Sequence, residues 1–134
     1  MGTRSTIALE FADGTIEQVY CHWDGYLSHN GAMLVQHYMD PFKVKQLLAL
    51  GGFSSLEASV EDTKKTAYAF SRGEEITINK YDDIHDYELN GQDEEYDYIL
   101  RPVNGIAVWF VRYYATKGWV TLEEAFLMTE ECEE

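Results

Sequence analysis

The sequence predicts a single α+β domain: a mostly antiparallel sheet built from hairpins at about residues 3–23, 66–81 and 96–114, two helices after the first hairpin, and a C-terminal helix. Three observations carry this reading. Apolar residues alternate along the segments flanking two tight turns, Ala12-Asp13-Gly14 and Asn104-Gly105. Asp40-Pro41 and Thr121 each precede a run with the apolar spacing of a helix. The chain has 134 residues with no internal repeat or linker, so residues 1–134 are expected to bury one core.

The first hairpin alternates Ile7, Leu9 and Phe11 with Thr6, Ala8 and Glu10, and continues through Val19, Cys21 and Trp23 on the return. An Ala-Asp-Gly loop with Gly14 in the left-handed position sets Phe11 opposite Thr15 and Ile7 opposite Val19. On that register Cys21 and Trp23 face the core, and Tyr20 and His22 stand on the other face near Thr6 and Arg4. A two-residue Asp-Gly turn would slip the pairing by one and reverse both assignments. The first register is preferred because it puts Cys and Trp, rather than Gln18 and His22, among the aliphatic residues.

Asn30 is expected to cap a short helix carrying Met33, Leu34, His37 and Tyr38. Asp40 then caps a second helix with Pro41 in its first turn, a stripe of Val44, Leu47 and Leu48 inside, and Gly51 at its end. Residues 53–65 carry a poor signal. Strand character at Thr66–Phe70 and Glu75–Tyr81, on either side of Ser71-Arg72-Gly73-Glu74, predicts a second hairpin.

Between Asp82 and Tyr98 lie eight carboxylates and no Lys or Arg, interleaved with Tyr87, Tyr96 and Tyr98. A hairpin follows, Tyr96–Val103 and Ile106–Tyr114 around a type I′ Asn104-Gly105 turn, with Val103 opposite Ile106 and Asp97 opposite Arg112. Ile99, Val108 and Phe110 line one face and Leu100, Trp109 and Val111 the other, so both faces are expected to be covered. Thr121 with Glu124 three residues on reads as a capping box for the last helix.

Ten Lys and Arg against 24 Asp and Glu leave a formal charge of −14, and the cations are scattered. Such a chain repels nucleic acid and anionic membranes, and it attracts a basic partner. No apolar run approaches the roughly 18–20 residues of a membrane span. Two cysteines, Cys21 and Cys132, make no disulfide framework. Met1-Gly2-Thr3-Arg4-Ser5 lacks the features of a secretory signal, so a cytoplasmic, unlipidated protein is expected.

No stretch forms a recognised catalytic motif, so no catalytic residue, metal or cofactor is assigned. His22, Asp24, His29 and His37 with Cys21 are transition-metal ligand types but lack HExxH or CxxC spacing, and a hydrogen-bonded structural role outweighs the metal reading. Cys21 and His22, being sequential in a strand, point to opposite faces and make no nucleophile–base pair. A small-molecule pocket around Arg4, Tyr20, His22, Asp24 and Tyr26, with Trp23 beside them, has the aromatics and the Arg that a nucleotide-derived signal needs. Asp86 to Asp97 sets oxygen-bearing residues at several calcium-loop positions around Gly91, but Glu at position 3 and Asp at position 12 depart from the motif.

Gly2-Thr3-Arg4-Ser5, the hairpin, Tyr20-Cys21-His22-Trp23-Asp24-Gly25-Tyr26, Gly31 and Leu34, and His37-Tyr38 leading into Lys43-Val44-Lys45 resemble a group of small uncharacterised proteins carried by bacteriophages and prophages. The resemblance covers roughly residues 2–56 and implies an accessory role, host takeover or anti-defence, in the infected bacterial cytoplasm; it carries over no catalytic residue. With the charge, it leads to the expectation of a non-enzymatic protein that blocks or modulates a host protein with a basic surface. The contacting residues would be Asp82, Asp83, Asp86, Tyr87, Glu88, Asp93, Glu94 and Glu95.

Overall fold

The computed structural model describes residues 3–133, with side chains through Thr129. Six strands form one sheet in the order β3-β2-β1-β4-β5-β6. They are β1 (Ser5–Glu10), β2 (Ile16–Cys21), β3 (Asn79–Tyr81), β4 (Tyr96–Val103), β5 (Ile106–Tyr113) and β6 (Val120–Thr121). The central β1–β4 pairing is parallel and every other pairing is antiparallel. The helices are α1 (Ala32–His37), α2 (Pro41–Leu48), α3 (Val60–Lys64), α4 (Tyr68–Arg72), α5 (Ile84–Asn90) and α6 (Leu122–Glu133). None of the described helices is long and apolar enough to cross a membrane.

Both expected hairpin registers are present. Ile7 faces Val19, Phe11 N–H donates to Thr15 O at 2.8 Å, and Gly14 takes φ +89°. At the other hairpin Val103 faces Ile106 and Asp97 faces Arg112, with Asn104 and Gly105 at φ +52° and +80°, as a type I′ turn requires. The expected caps of α2 and α6 also form: Asp40 accepts from Phe42 N–H at 2.9 Å and Thr121 from Glu124 N–H at 3.1 Å.

The two faces of the sheet are covered unequally. Ile7, Leu9, Val19, Cys21, Tyr98, Leu100, Trp109 and Val111 pack with Leu34, Leu47, Leu48 and Leu122 in the main core. Each buried aliphatic side chain contributes about 1.5–3 kcal/mol. Ala8, Ile16 and Ile99 form a smaller core on the opposite face under Tyr87 of α5, with Phe110 and Trp119 packed against it.

Several expectations are corrected. Residues 66–81 are not a hairpin: Tyr68–Arg72 is helical and ends on Gly73 at φ +68°, and only Asn79–Tyr81 is a strand. The two halves of the expected hairpin take different partners, Ala67 bridging Phe53 and the second half joining β2. Asn79–Tyr81 pairs with Ile16–Gln18, while farther along Phe53 N–H donates to Tyr20 O at 2.9 Å and His22 N–H to Phe53 O at 3.2 Å.

Trp23 is not in the core but 43% exposed, because β2 ends at Cys21 and the chain leaves the sheet through Asp24 at φ +58°. Asn30 is no helix cap; it lies in a π-helical turn, Leu27–Gly31, that runs into α1, and its side chain points inward. The weakly patterned stretch holds α3, capped by Ser59 Oγ accepting from Asp62 N–H at 3.0 Å.

Candidate functional site

Strand register assembles a polar row across the thinly covered face. Tyr20 of β2 lies beside Thr6 of β1, Thr6 beside Asp97 of β4, and Asp97 beside Arg112 of β5. Thr6 and Asp97 are fully buried, Asp97 being 1% exposed. Thr6 Oγ1 donates to Asp97 Oδ1 at 2.6 Å, Glu94 N–H donates to the same oxygen at 3.2 Å, and Arg112 Nη2 lies 3.8 Å from Oδ2. Burial pushes the Asp97 carboxyl up to about 7; the neighbouring Asp93 carboxyl adds to this, and the Thr6 and Glu94 donors oppose it.

Gln18, one step along the same face, is buried and bonded on several sides. Its Oε1 accepts from Tyr81 Oη at 2.8 Å and from Gln92 N–H at 3.2 Å, and its Nε2 donates to Gln92 O at 3.0 Å. Tyr87 stacks on Trp119 with centroids 6.0 Å apart, and the Arg112 guanidinium lies 4.6 Å from the Trp119 ring. Trp119 Nε1 is buried without a hydrogen-bond partner among the described residues. Of this network the sequence pointed only to the Asp97–Arg112 pair. Gln18 carried the remaining signal: a long amide within a strand, meaningful once both faces of that strand are covered.

The residues expected to line a pocket divide into two pairs. Tyr20 Oη and His22 Nδ1 are 2.8 Å apart, and Arg4 is close enough to Tyr20 to counter part of the upward shift that burial gives its hydroxyl. Asp24 instead accepts from Tyr26 Oη at 3.2 Å. Arg4, Trp23 and Tyr26 are exposed and Tyr20, His22 and Asp24 are half-buried, so the group lies on open surface. The His22 ring packs edge-on against Trp23 at 4.6 Å. Cys21, fully buried behind them, has its thiol pushed up to about 11 by burial, which leaves little thiolate for chemistry.

The acidic segment folds as α5 and the loop after it. Asp83 caps α5 by accepting from Asp86 N–H at 2.8 Å, and Asp86 accepts from Asp82 N–H at 2.9 Å and Asn90 Nδ2 at 2.7 Å. These bonds hold the Asp86 carboxyl below its ordinary range. Asp82, Asp83, Glu88, Asp93 and Glu95 are exposed, and Asp86 and Glu94 are half-buried. Tyr87 departs from the expectation: it is 2% exposed and faces the smaller core, because the helix turns it opposite to Glu88.

Asp86, Glu88 and Asn90 lie along a helix and not around a loop, so they do not converge as calcium ligands. Among the described residues no group of three or more His, Cys, Asp or Glu side chains is placed to hold a metal ion. Compared with known proteins, the chain matches no family model, no curated protein and no solved structure.

Proposed function

We propose that this is a phage accessory protein that binds a bacterial host protein and blocks or modulates it through the acidic surface of α5 and the loop following it. One observation carries the reading. The ion pairs among the described residues are Asp62–Lys65, Glu74–Arg72, Glu10–Arg101 and Asp97–Arg112, so the exposed carboxylates of Asp82, Asp83, Glu88, Asp93 and Glu95 have no cationic partner there. Unneutralised carboxylates on the surface steer a basic face toward them and favour it over a neutral or acidic one. The resemblance of residues 2–56 to phage-borne proteins supports a host protein as the target, in the cytoplasm of the infected cell.

Pull-down from bacterial lysate at low salt tests this. The expected result is a partner whose affinity falls steeply between about 50 and 300 mM salt, and falls again with Glu88→Gln and Glu95→Gln together. A partner indifferent to salt, or none at all, sinks the proposal.

A second reading rests on the Arg4, Tyr20 and His22 grouping: a binding protein or hydrolase for a nucleotide-derived signal, with Asp24 and Tyr26 at its margin. A thermal-shift screen with nucleotides separates the two. A saturating small ligand raises the midpoint, and a protein-blocking module does not respond.

A further inference from the structure

The outer edge of β5 is left incomplete by the fold. β5 spans Ile106–Tyr113, but β6 pairs with it only at Phe110 and Val111. Tyr113 closes its outward groups on its own loop: its N–H donates to Thr116 Oγ1 at 3.1 Å, and Thr116 N–H donates to Tyr113 O at 3.0 Å. Inward and outward backbone groups alternate along a strand. Tyr113 therefore fixes Val111, Trp109 and Ala107 as outward-facing too. Val111 meets Val120, whereas among the described residues nothing pairs with the N–H or C=O of Ala107.

A cavity of about 410 Å³ adjoins this free edge, lined by Val35, Met39, Ala107, Trp109, Leu122 and Phe126 among others. Val35, on α1, and Met39, in the link between α1 and α2, are 39% and 45% exposed, high for apolar side chains beside the main core. Ala107 and Trp109 share the sheet face that packs on α1 and α6, so the cavity opens on the side toward which Ala107 points. An unpaired strand edge supplies main-chain bonds, and an apolar hollow beside it accepts every second side chain of an incoming strand.

We propose that the Ile106–Trp109 edge is a strand-addition site for an extended segment of a partner protein, one carrying an apolar residue flanked by Lys or Arg. The residue opposite Ala107 would exchange both backbone hydrogen bonds with it and place its side chain in the cavity. Charge selects the flanks. Glu123 lines the cavity, and the chain as a whole carries −14, which attracts a cationic peptide and repels a second copy of the same chain. This surface is distinct from the acidic α5 surface, which covers the opposite face of the sheet.

The probe is a fluorescein-labelled nine-residue peptide alternating valine with lysine, followed by fluorescence anisotropy at about 50 mM salt. The expected dissociation constant is on the order of 10–100 µM. It should weaken at least about tenfold with Ala107→Pro, which removes the outward N–H without touching the β4 ladder, and with Met39→Lys, which puts a charge in the cavity. A peptide N-methylated at alternate backbone amides, or one with glutamate in place of lysine, should bind at least about tenfold more weakly.

Absence of binding, equal binding of a control peptide, or unchanged binding to Met39→Lys overturns the proposal. So does a wild-type dimer that Ala107→Pro dissolves, which would place a second copy at the edge. Glu88→Gln with Glu95→Gln should leave peptide binding intact; if that variant alone abolishes it, the peptide sits on α5, and this proposal falls while the acidic-surface reading stands.

Discussion

Thr6 Oγ1 donates to Asp97 Oδ1 at 2.6 Å across the parallel pairing of β1 with β4, and both residues are buried at the centre of the sheet. The bond ties together two chain segments 91 residues apart, at the one place where the two hairpins are joined. It also keeps a carboxyl in a site whose poor solvation favours the protonated form.

The Asp97 carboxyl is raised to about 7, so the folded chain holds this proton more tightly than the unfolded chain does. The resulting stability is fully present below the ordinary carboxyl range, near pH 4, and is lost as pH rises through about 7. Asp13 and Asp86, which hydrogen bonds hold below their ordinary range, act in the opposite sense, and only in strong acid. Urea denaturation should show wild type losing on the order of 2 kcal/mol between pH 5 and 8 relative to Asp97→Asn. Parallel pH profiles for the two proteins would refute this assignment.

Asn30 is a second buried polar group with a structural task. Its Nδ2 donates to Ser5 Oγ at 3.1 Å and lies 3.4 Å from Cys21 Sγ, and its Oδ1 is 2.9 Å from His29 Nδ1. Asn30→Ala leaves the Ser5 hydroxyl without this partner inside the fold and should cost about 2–3 kcal/mol in urea denaturation. A change below about 0.5 kcal/mol would mean that the network is dispensable.

Gly25 and Gly14 should respond unequally to the same substitution. A Cβ on Gly25 would lie 2.8 Å from both Ser5 Cβ and Thr3 O, and the residue is pinned by its N–H to Thr3 O at 2.8 Å and by Tyr98 Oη to its carbonyl at 2.6 Å. Gly25→Ala therefore forces backbone apart and should cost about 2–4 kcal/mol. Gly14→Ala meets open space and bears only the strain of φ +89°, roughly 1 kcal/mol. Thermal melts that rank the two in the reverse order would show that close packing at Gly25 is not limiting.

Cys21 should report unfolding and little else. In a Cys132→Ser variant, the native protein at pH 8 should react with a disulfide reagent at least about 100-fold more slowly than a free thiol, because Cys21 is buried and its thiolate is disfavoured. Denaturant should restore fast labelling. Rapid labelling of the folded chain would place Cys21 on an accessible surface.

Much of this fold was legible because turns and caps are local chemistry. Asn104-Gly105 and Ala12-Asp13-Gly14 set their registers through the φ values those residues tolerate, and Asp40 and Thr121 each cap a backbone N–H within three residues. The failed hairpin at 66–81 has the opposite cause. Its apolar and β-branched residues suit a strand, and Asn79–Tyr81 does form one on the β2 edge, but Ala67 bridges Phe53 rather than residues 75–81 and Tyr68–Arg72 is helical, a choice of partner made by distant segments.

The candidate sites divide along the same line. The acidic surface of residues 82–95 was legible from composition, because eight carboxylates without a cation up to Tyr98 are costly to bury together, and of these Asp97 alone is buried. Packing between distant segments, and not local pattern, puts Asp97, Thr6 and Gln18 inside and Trp23 outside, and leaves Ala107 of β5 without an outer partner among the described residues beside a cavity. Strand alternation says which residues share a face, but the solvation of that face, and the pairing of a strand's edge, depend on segments distant in the chain that come to cover them.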